Sequence, residues 1–147
     1  MKLALLLLLA ACGDDPSLGR VDWIGPSESN LDAGIFMLAY AQHADQVWTI
    51  HTVDYDEELH CSEAPDVGSS GLTAELSERA GTSPGSVPIT TTALVPGELG
   101  AHLVIRQQTA DGGTIEISAI DDAIHATFTA TFGAATVTGW FDATICD

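Results

Sequence analysis

The chain has 147 residues and carries 21 acidic against four basic side chains, so its formal net charge at pH 7 is −17. A polyanion without a basic patch is unsuited to nucleic acid and repels anionic lipid head groups, which excludes both as partners of its surface. The length suits one domain with a core of its own. Such an acidic excess is typical of a highly soluble protein or of one adapted to a salty medium. The alternative is that the carboxylates bind divalent cations.

Residues 1–19 have the pattern of an export signal followed by a tether. Lys2 precedes an unbroken apolar run from Leu3 to Ala11, which is much shorter than the roughly 20 residues that a membrane-spanning helix needs. The run ends in Leu9-Ala10-Ala11-Cys12, which resembles the lipobox of bacterial lipoproteins. The resemblance implies cleavage before Cys12, a diacylglyceryl group on its thiol, and a further acyl chain such as palmitate on the new amino terminus.

That resemblance divides the chain into a signal peptide at 1–11, a lipidated tether at 12–19 and a domain at 20–147. The implied partner is a membrane, reached through the lipid on Cys12. The implied location is the outer membrane, on its periplasmic or its cell-surface face. Because two acyl chains hold a protein stably where one is marginal, this attachment requires nothing from the domain.

Two further cysteines, Cys61 and Cys146, remain beside the lipidated one. An exported domain meets oxidising conditions, so this even pair predicts a disulfide. The bridge closes a loop of about 85 residues, for which the chain-entropy model gives about 4–5 kcal/mol of stabilisation as an upper figure. The alternative is two free, buried thiols.

The first half of the domain predicts strands separated by loops. Residues 35–41 and 47–53 are apolar on both faces, as in strands that are covered on both sides. His43-Ala44-Asp45 is their expected hairpin loop. An acidic segment follows at 54–66, and residues 72–80 are compatible with one or two helical turns.

The second half gives a clearer pattern. Residues 88–95 and 103–107 predict two strands, and residues 114–120 predict another that ends at Asp121-Asp122. Apolar and polar residues then alternate along two more strands, 124–132 and 136–145, with 133–135 as the turn between them. Residues 114–146 therefore predict a three-stranded antiparallel meander.

About seven or eight short strands predict an all-β domain, either an antiparallel β-sandwich or a small barrel. The ending Gly139–Cys146 also resembles the ends of small envelope lipoproteins of Gram-negative bacteria. That resemblance implies a similar last strand and no activity.

One segment matches a catalytic motif. Gly81-Thr82-Ser83-Pro84-Gly85 has the form G-x-S-x-G of the serine-hydrolase elbow. The oxyanion hole of that motif needs the backbone N–H of the residue after the nucleophile, and Pro84 has none. We therefore expect a proline–glycine loop here, no catalytic residue, no cofactor, and a protein that is not an enzyme.

Two weaker binding sites are alternatives. Asp54, Asp56 and Glu58 alternate as the ligands of a calcium loop do, but the sixth and twelfth positions counted from Asp54 are Leu59 and Pro65 instead of glycine and glutamate. A solvated charge run is the expectation. Trp140 lies on the polar face of its strand and is a candidate for stacking against a sugar, although tryptophan in a sheet more often packs.

These patterns together predict a lipid-anchored cell-envelope protein with a non-enzymatic structural or interaction domain. Its expected partner, besides the membrane, is an envelope protein or a glycan. The alternative function is a module that binds calcium through the Asp54–Glu58 loop or a glycan through Trp140. The five histidines show no spacing that is typical of a zinc site.

Overall fold

A computed structural model describes residues 20–27, 29–36, 38–53 and 71–146. Within these ranges the chain forms eleven strands and one 3-10 turn, so the all-β class is confirmed, with more strands than the seven or eight expected. The elements are β1 (Arg20–Ile24), β2 (Gly34–Phe36), β3 (Leu38–Ala44), β4 (Val47–Val53), β5 (Leu72–Ser77), a 3-10 turn (Ala80–Thr82), β6 (Gly85–Pro88), β7 (Ala101–Ile105), β8 (Gln108–Thr109), β9 (Gly112–Ile120), β10 (Ala123–Phe132) and β11 (Ala135–Ile145).

The strands form one curled, mixed sheet that makes a half-barrel. Nine strands follow the path β6-β9-β10-β11-β3-β4-β5-β7-β8, and β1 and β2 branch from it at β11. The pair β11–β3 is parallel, whereas the other pairs of described strands are antiparallel. A parallel bridge between Ile89 and Ala101 links the segment after β6 to β7, so the two ends of the path approach each other.

The inner face of the curl holds the apolar core. Along β10, every second residue from Ile124 to Phe132 is buried, while Thr127 and Thr129 between them are exposed. Successive side chains of a strand point to opposite faces, so the predicted alternation is confirmed. Fully buried side chains come from both halves of the sheet and include Trp23, Ile50, Leu72, Leu76, Leu103, Ile115 and Phe141.

β11 joins the two halves of the sheet. One edge pairs with β10 along its length, and the other edge pairs first with β1 and then with β3. Gly139 allows the approach of β1, because a Cβ at this position would lie 2.4 Å from the carbonyl oxygen of Asp22 and 2.6 Å from the ring of Phe128. Any side chain at 139 would therefore displace β1 or the Phe128 ring.

Two hairpins turn through residues in the left-handed region. Asp45 and Gln46 join β3 to β4 with φ of 51° and 66°, and Arg106 and Gln107 join β7 to β8 with φ of 48° and 66°. Two successive residues of positive φ are typical of the type I′ turn, whose twist matches that of the strands. The left-handed conformation costs a residue with a Cβ about 1–2 kcal/mol, which contacts elsewhere must offset.

The side chain of Arg106 supplies such contacts. Its Cζ lies 5.5 Å from the ring centroid of the buried Trp23, and its guanidinium pairs with Asp32 and donates to the carbonyl oxygen of Asn30 at 3.1 Å. Nε1 of Trp23 donates to the carbonyl oxygen of Asp32 at 2.8 Å. The β7–β8 hairpin is thereby tied to the loop between β1 and β2.

The helical turns predicted at 72–80 are wrong. Leu72–Ser77 is β5, which pairs with both β4 and β7, and only Ala80–Thr82 is helical. Apolar and polar residues alternate from Leu72 to Ser77 as they do in a strand, and Ser77 at the end of the strand is also buried. Its hydroxyl donates to the carbonyl oxygen of Glu98 at 2.7 Å and accepts from the amide of Gly100 at 3.1 Å.

Other boundaries are shifted. The strand predicted at 88–95 lies earlier, as β6, and only Ile89 beyond it forms a bridge. The hairpin loop expected at 43–45 is shorter, because β3 runs to Ala44. The meander of β9, β10 and β11 is confirmed, whereas β1 was not predicted.

Cys146 follows β11, and its amide donates to the carbonyl oxygen of Ala41 at 2.9 Å. Cys61 lies outside the described residues, so the pairing of these two cysteines stays a prediction.

The burial pattern of β10 predicts destabilisation of very different size for substitutions at two neighbouring residues. Phe128 is 3% exposed and its ring centroid lies 6.5 Å from that of Phe141, so Phe128→Ala should cost about 3–5 kcal/mol of unfolding free energy through a cavity in the core. Thr129→Ala on the exposed face should stay within about 1 kcal/mol. Urea unfolding of both variants measures the difference, and equal destabilisation would show that the outer face is also covered.

The cysteine prediction is tested on the purified mature domain. With Cys61 and Cys146 bridged, alkylation in denaturant without reductant should label neither thiol, and peptide mapping should find the two joined. Reduction before alkylation serves as the control and should expose both. Complete labelling without reductant would contradict the pairing.

Candidate functional site

Most residues that the sequence singles out lie outside the described part of the chain, namely Cys12, Asp54, Asp56, Glu58 and Cys61. Their lipid, calcium and disulfide roles therefore stay predictions. Among the described residues, no group of three or more His, Cys, Asp or Glu side chains is arranged to hold a metal ion.

Trp140 lies on the outer face of β11, because its neighbours Gly139 and Phe141 face the core. The indole is half-buried, and Cζ of Arg20 lies 5.4 Å from its ring centroid. A cation above an indole face is attracted by the ring quadrupole. Arg20 therefore competes for the surface on which a sugar would stack.

A histidine held between two carboxylates lies on the same outer face. His125 Nδ1 is 2.7 Å from Oδ1 of Asp142, and its Nε2 is 3.0 Å from Oδ1 of Asp121. His125 and Asp142 are direct cross-strand partners, and Asp121 belongs to the turn between β9 and β10. The amide of Ala123 also donates to Oδ1 of Asp121, at 3.0 Å. These three side chains, the His125 cluster, connect the turn with the last strand.

Both ring nitrogens of His125 face carboxylate oxygens, which only accept hydrogen bonds when ionised. A neutral imidazole donates through one nitrogen, whereas the imidazolium donates through both. The hydrogen bond with Asp142, and then that with Asp121, raises the pKa of His125 against the opposing effect of partial burial. The hydrogen bonds from His125 and from the Ala123 amide lower the pKa of Asp121.

Tyr40 and His51 form a second pair of titratable rings, on β3 and β4. They are cross-strand partners with ring centroids 5.3 Å apart. Burial raises the pKa of Tyr40 to about 12. Burial also lowers the pKa of His51, against the opposing charge of Glu75. Both rings are therefore neutral at pH 7, which suits a packing contact more than proton transfer.

A groove with a volume of about 210 Å³ lies on the outer face of β5, β7 and β8. His102 crosses it, with Nδ1 3.3 Å from Oε2 of Glu75 and Nε2 against the carbonyl oxygen of Thr92. The lining is mainly polar in residue type, with Thr73, Glu75, Thr91, His102, Val104 and Thr109. Small-molecule pockets usually enclose about 300–1,000 Å³, so this groove of about 210 Å³ is small for one.

The Gly81–Gly85 segment does not have the geometry of a hydrolase elbow. An elbow joins a strand to a helix, whereas here a 3-10 turn leads through Ser83 into strand β6. Ser83 is extended, with φ of −153° and ψ of 149°. The segment therefore resembles the catalytic motif in sequence only and not in structure.

No protein-family model matches this chain, and no curated protein or solved structure is significantly similar to it. In the described ranges, no helix has the length and apolar character that crossing a membrane requires.

Sequence reasoning did not find the His125 cluster, although one signal for it was present. His125 and Asp142 both fall on the polar faces of adjacent predicted strands. The turn at Gly133–Ala134 sets the register that makes them partners, because Phe132 pairs with Ala135 and the pairs then run back regularly to His125. Counting back from the turn would have found this contact, whereas the approach of Asp121 depends on the shape of a second turn.

The acidic segment gives a calcium prediction. Asp54, Asp56 and Glu58 lack the complete ligand set of a calcium loop, so millimolar calcium should raise the melting temperature by less than a few degrees, since a ligand stabilises only as ln(1 + [L]/Kd). Calorimetry with calcium, with magnesium and with chelator measures this. A large calcium-specific rise that Asp56→Asn with Glu58→Gln abolishes would instead favour the calcium-binding function.

Proposed function

We propose that the protein is a lipid-anchored cell-envelope protein whose β-domain has a structural or interaction role and no enzymatic activity. The observation that carries this proposal is Leu9-Ala10-Ala11-Cys12 at the end of an apolar run too short to span a membrane. By its resemblance to a lipobox, this sequence attaches the mature chain to the outer membrane through Cys12.

The distance between the anchor and the fold supports a role close to the membrane. β1 begins at Arg20, and residues 13–19 separate it from Cys12. At about 3.5 Å per residue, such a tether reaches roughly 25 Å. The domain would therefore meet partners that lie at the membrane surface, on its periplasmic or its external side.

The charge of the chain supports a protein or a neutral partner for the domain. With a net charge of −17 over the whole sequence, its surface repels nucleic acid and anionic head groups. The lipid on Cys12, and not the domain surface, is thus the proposed contact with the membrane.

The polar groups of the outer face favour this role over catalysis. A general base must have a nitrogen available to take a proton from a reacting group, and both nitrogens of His125 face carboxylates. His102 is likewise engaged at both nitrogens, by Glu75 and by the carbonyl oxygen of Thr92.

Glycan binding is the second candidate. The position of Trp140 on the outer face, outside the buried core, favours it. The guanidinium of Arg20 above the same ring opposes it, because a sugar would have to displace this cation. We therefore rank glycan binding below a structural or interaction role.

Replacing the proposed lipidation site tests the anchor. Cys12→Ser should give an unprocessed or soluble product, because no thiol remains to receive the diacylglyceryl group. Wild type should stay with membranes after a high-salt wash and carry an acyl mass at its amino terminus. Fractionation with mass spectrometry of the amino-terminal peptide measures both.

Ser17→Ala is the matched control, since it removes a hydroxyl from the tether beyond the lipobox and should leave anchoring unchanged. If Cys12→Ser still sediments with washed membranes and wild type carries no acyl group, the anchor proposal is wrong.

A further inference from the structure

We propose that the His125 cluster is a latch, strengthened by acid, that fastens the β9–β10 turn to the last strand and loosens as the pH rises above neutrality. The contacts that carry this proposal are the two short hydrogen bonds of one imidazole, at 2.7 Å to Asp142 and 3.0 Å to Asp121. The latch does not depend on the lipid anchor.

The proton on the ring decides whether the latch holds. As an imidazolium, His125 donates to both carboxylates at once and its charge opposes theirs. As a neutral ring it donates to one carboxylate only, and its other nitrogen presents a lone pair to the second. Loss of one proton thus removes one hydrogen bond and leaves two negative charges facing each other across a neutral ring.

The neighbouring elements place mainly carboxylates around His125, which itself adds a positive charge only while its ring is protonated. From β1, Arg20 is the Cα partner of Asp142, and its guanidinium lies over Trp140 and 3.8 Å from Asp22. From the turn comes Asp122, next to Asp121.

On the β9 side, Glu116 accepts a hydrogen bond from Ser86, and Ser118 donates to the backbone carbonyl of His125 at 3.1 Å. The only fixed positive charge among these groups is that of Arg20, so the imidazolium offsets a local excess of carboxylates.

The turn that the latch holds is also attached to the end of β11. The amide of Ile145 donates to the carbonyl oxygen of Asp122 at 2.9 Å, and the amide of Ala123 donates to the Asp121 side chain. Asp121 and Asp122 are both exposed, so little packing holds this turn beyond these hydrogen bonds. Opening of the turn would therefore expose the amides of Ala123 and Ile145 together.

The direction of the pH effect follows from the shifted pKa values of His125 and Asp121. The pKa of His125 is raised above its ordinary 6.5, so its contribution is complete below 6.5 and is lost as the pH rises through the raised value. The pKa of Asp121 is lowered below its ordinary 3.8, so its contribution is present above 3.8 and is lost as the pH falls through the lowered value. The latch is thus strongest between these two ordinary values.

The test compares full-length mature wild type with His125→Gln from pH 4.5 to 9.5. At pH 5.5 wild type should melt about 2–4 °C higher, the size expected for a weak, partly exposed interaction in a domain of this length. The difference should shrink towards zero at the alkaline end. Amide exchange at Ala123 and Ile145, corrected for the intrinsic rate, should be faster in the variant at pH 5.5, while exchange at Phe128 should not change.

His43→Gln is the matched control, because His43 Nε2 lies 4.0 Å from the single carboxylate of Glu78. Its effect on melting should vary less with pH than that of His125→Gln, because His43 has one carboxylate at 4.0 Å whereas His125 has two within 3.0 Å. Parallel melting profiles for wild type and His125→Gln would overturn the proposal.

A second measurement does not depend on the variant folding. In wild type, NMR titration of the His125 ring should place its midpoint above 6.5, and the corrected exchange of Ala123 and Ile145 should accelerate through the same pH range. A midpoint at or below 6.5, or exchange that does not follow the ring, would also overturn the latch.

Discussion

The sheet depends on β11 keeping both of its edges paired at once. β10 occupies one edge, while β1 and β3 divide the other. This division is possible only because Gly139 has no side chain, so that the backbone of Asp22 and the ring of Phe128 can approach the same point from two sides. Val21 and Trp23 on β1 are fully buried. Separation of β1 from β11 would expose both side chains, so the core stays intact only while this edge of β11 is paired.

Positive charge is scarce in this chain, and each described arginine is used to connect distant segments. Arg20 joins the outer faces of β1 and β11 through Trp140, and Arg106 joins a hairpin to the loop beneath Trp23. Arg79 reaches the carbonyl oxygen of Gly97 at 3.5 Å. In a strongly acidic chain such contacts gain from the surrounding negative potential. A protonated His125 does the same for the β9–β10 turn, but only while it holds its proton.

The sequence predicted the parts of the fold that depend on local pattern. Alternation along 124–132 and 136–145, with one glycine turn between them, was enough for the meander, because a half-buried strand shows its period directly. At β5, residues 72–77 alternate as in a strand, but so short a segment is also compatible with helical turns, and only its pairing with β4 and β7 decides between the two. The pattern did not predict β1, whose five residues are placed by pairing with β11 far along the chain. Of the candidate site, Trp140 was correctly assigned to the outer face, whereas the His125 cluster needed the register of one hairpin and the shape of a turn.

The titratable rings of the sheet respond differently to protons, and this difference gives the latch its local character. Tyr40 and His51 are neutral at pH 7, and burial shifts the pKa of each ring further in the direction that favours its neutral form. Loss of the proton from His125 changes charge only at the surface of the sheet, where β10 and β11 remain paired through their backbones on either side of it. Ile124 and Ala126 on β10 point to the opposite, buried face of the sheet and carry no titratable group. A rise in pH can therefore release the β9–β10 turn without disturbing the packing on which the sheet depends.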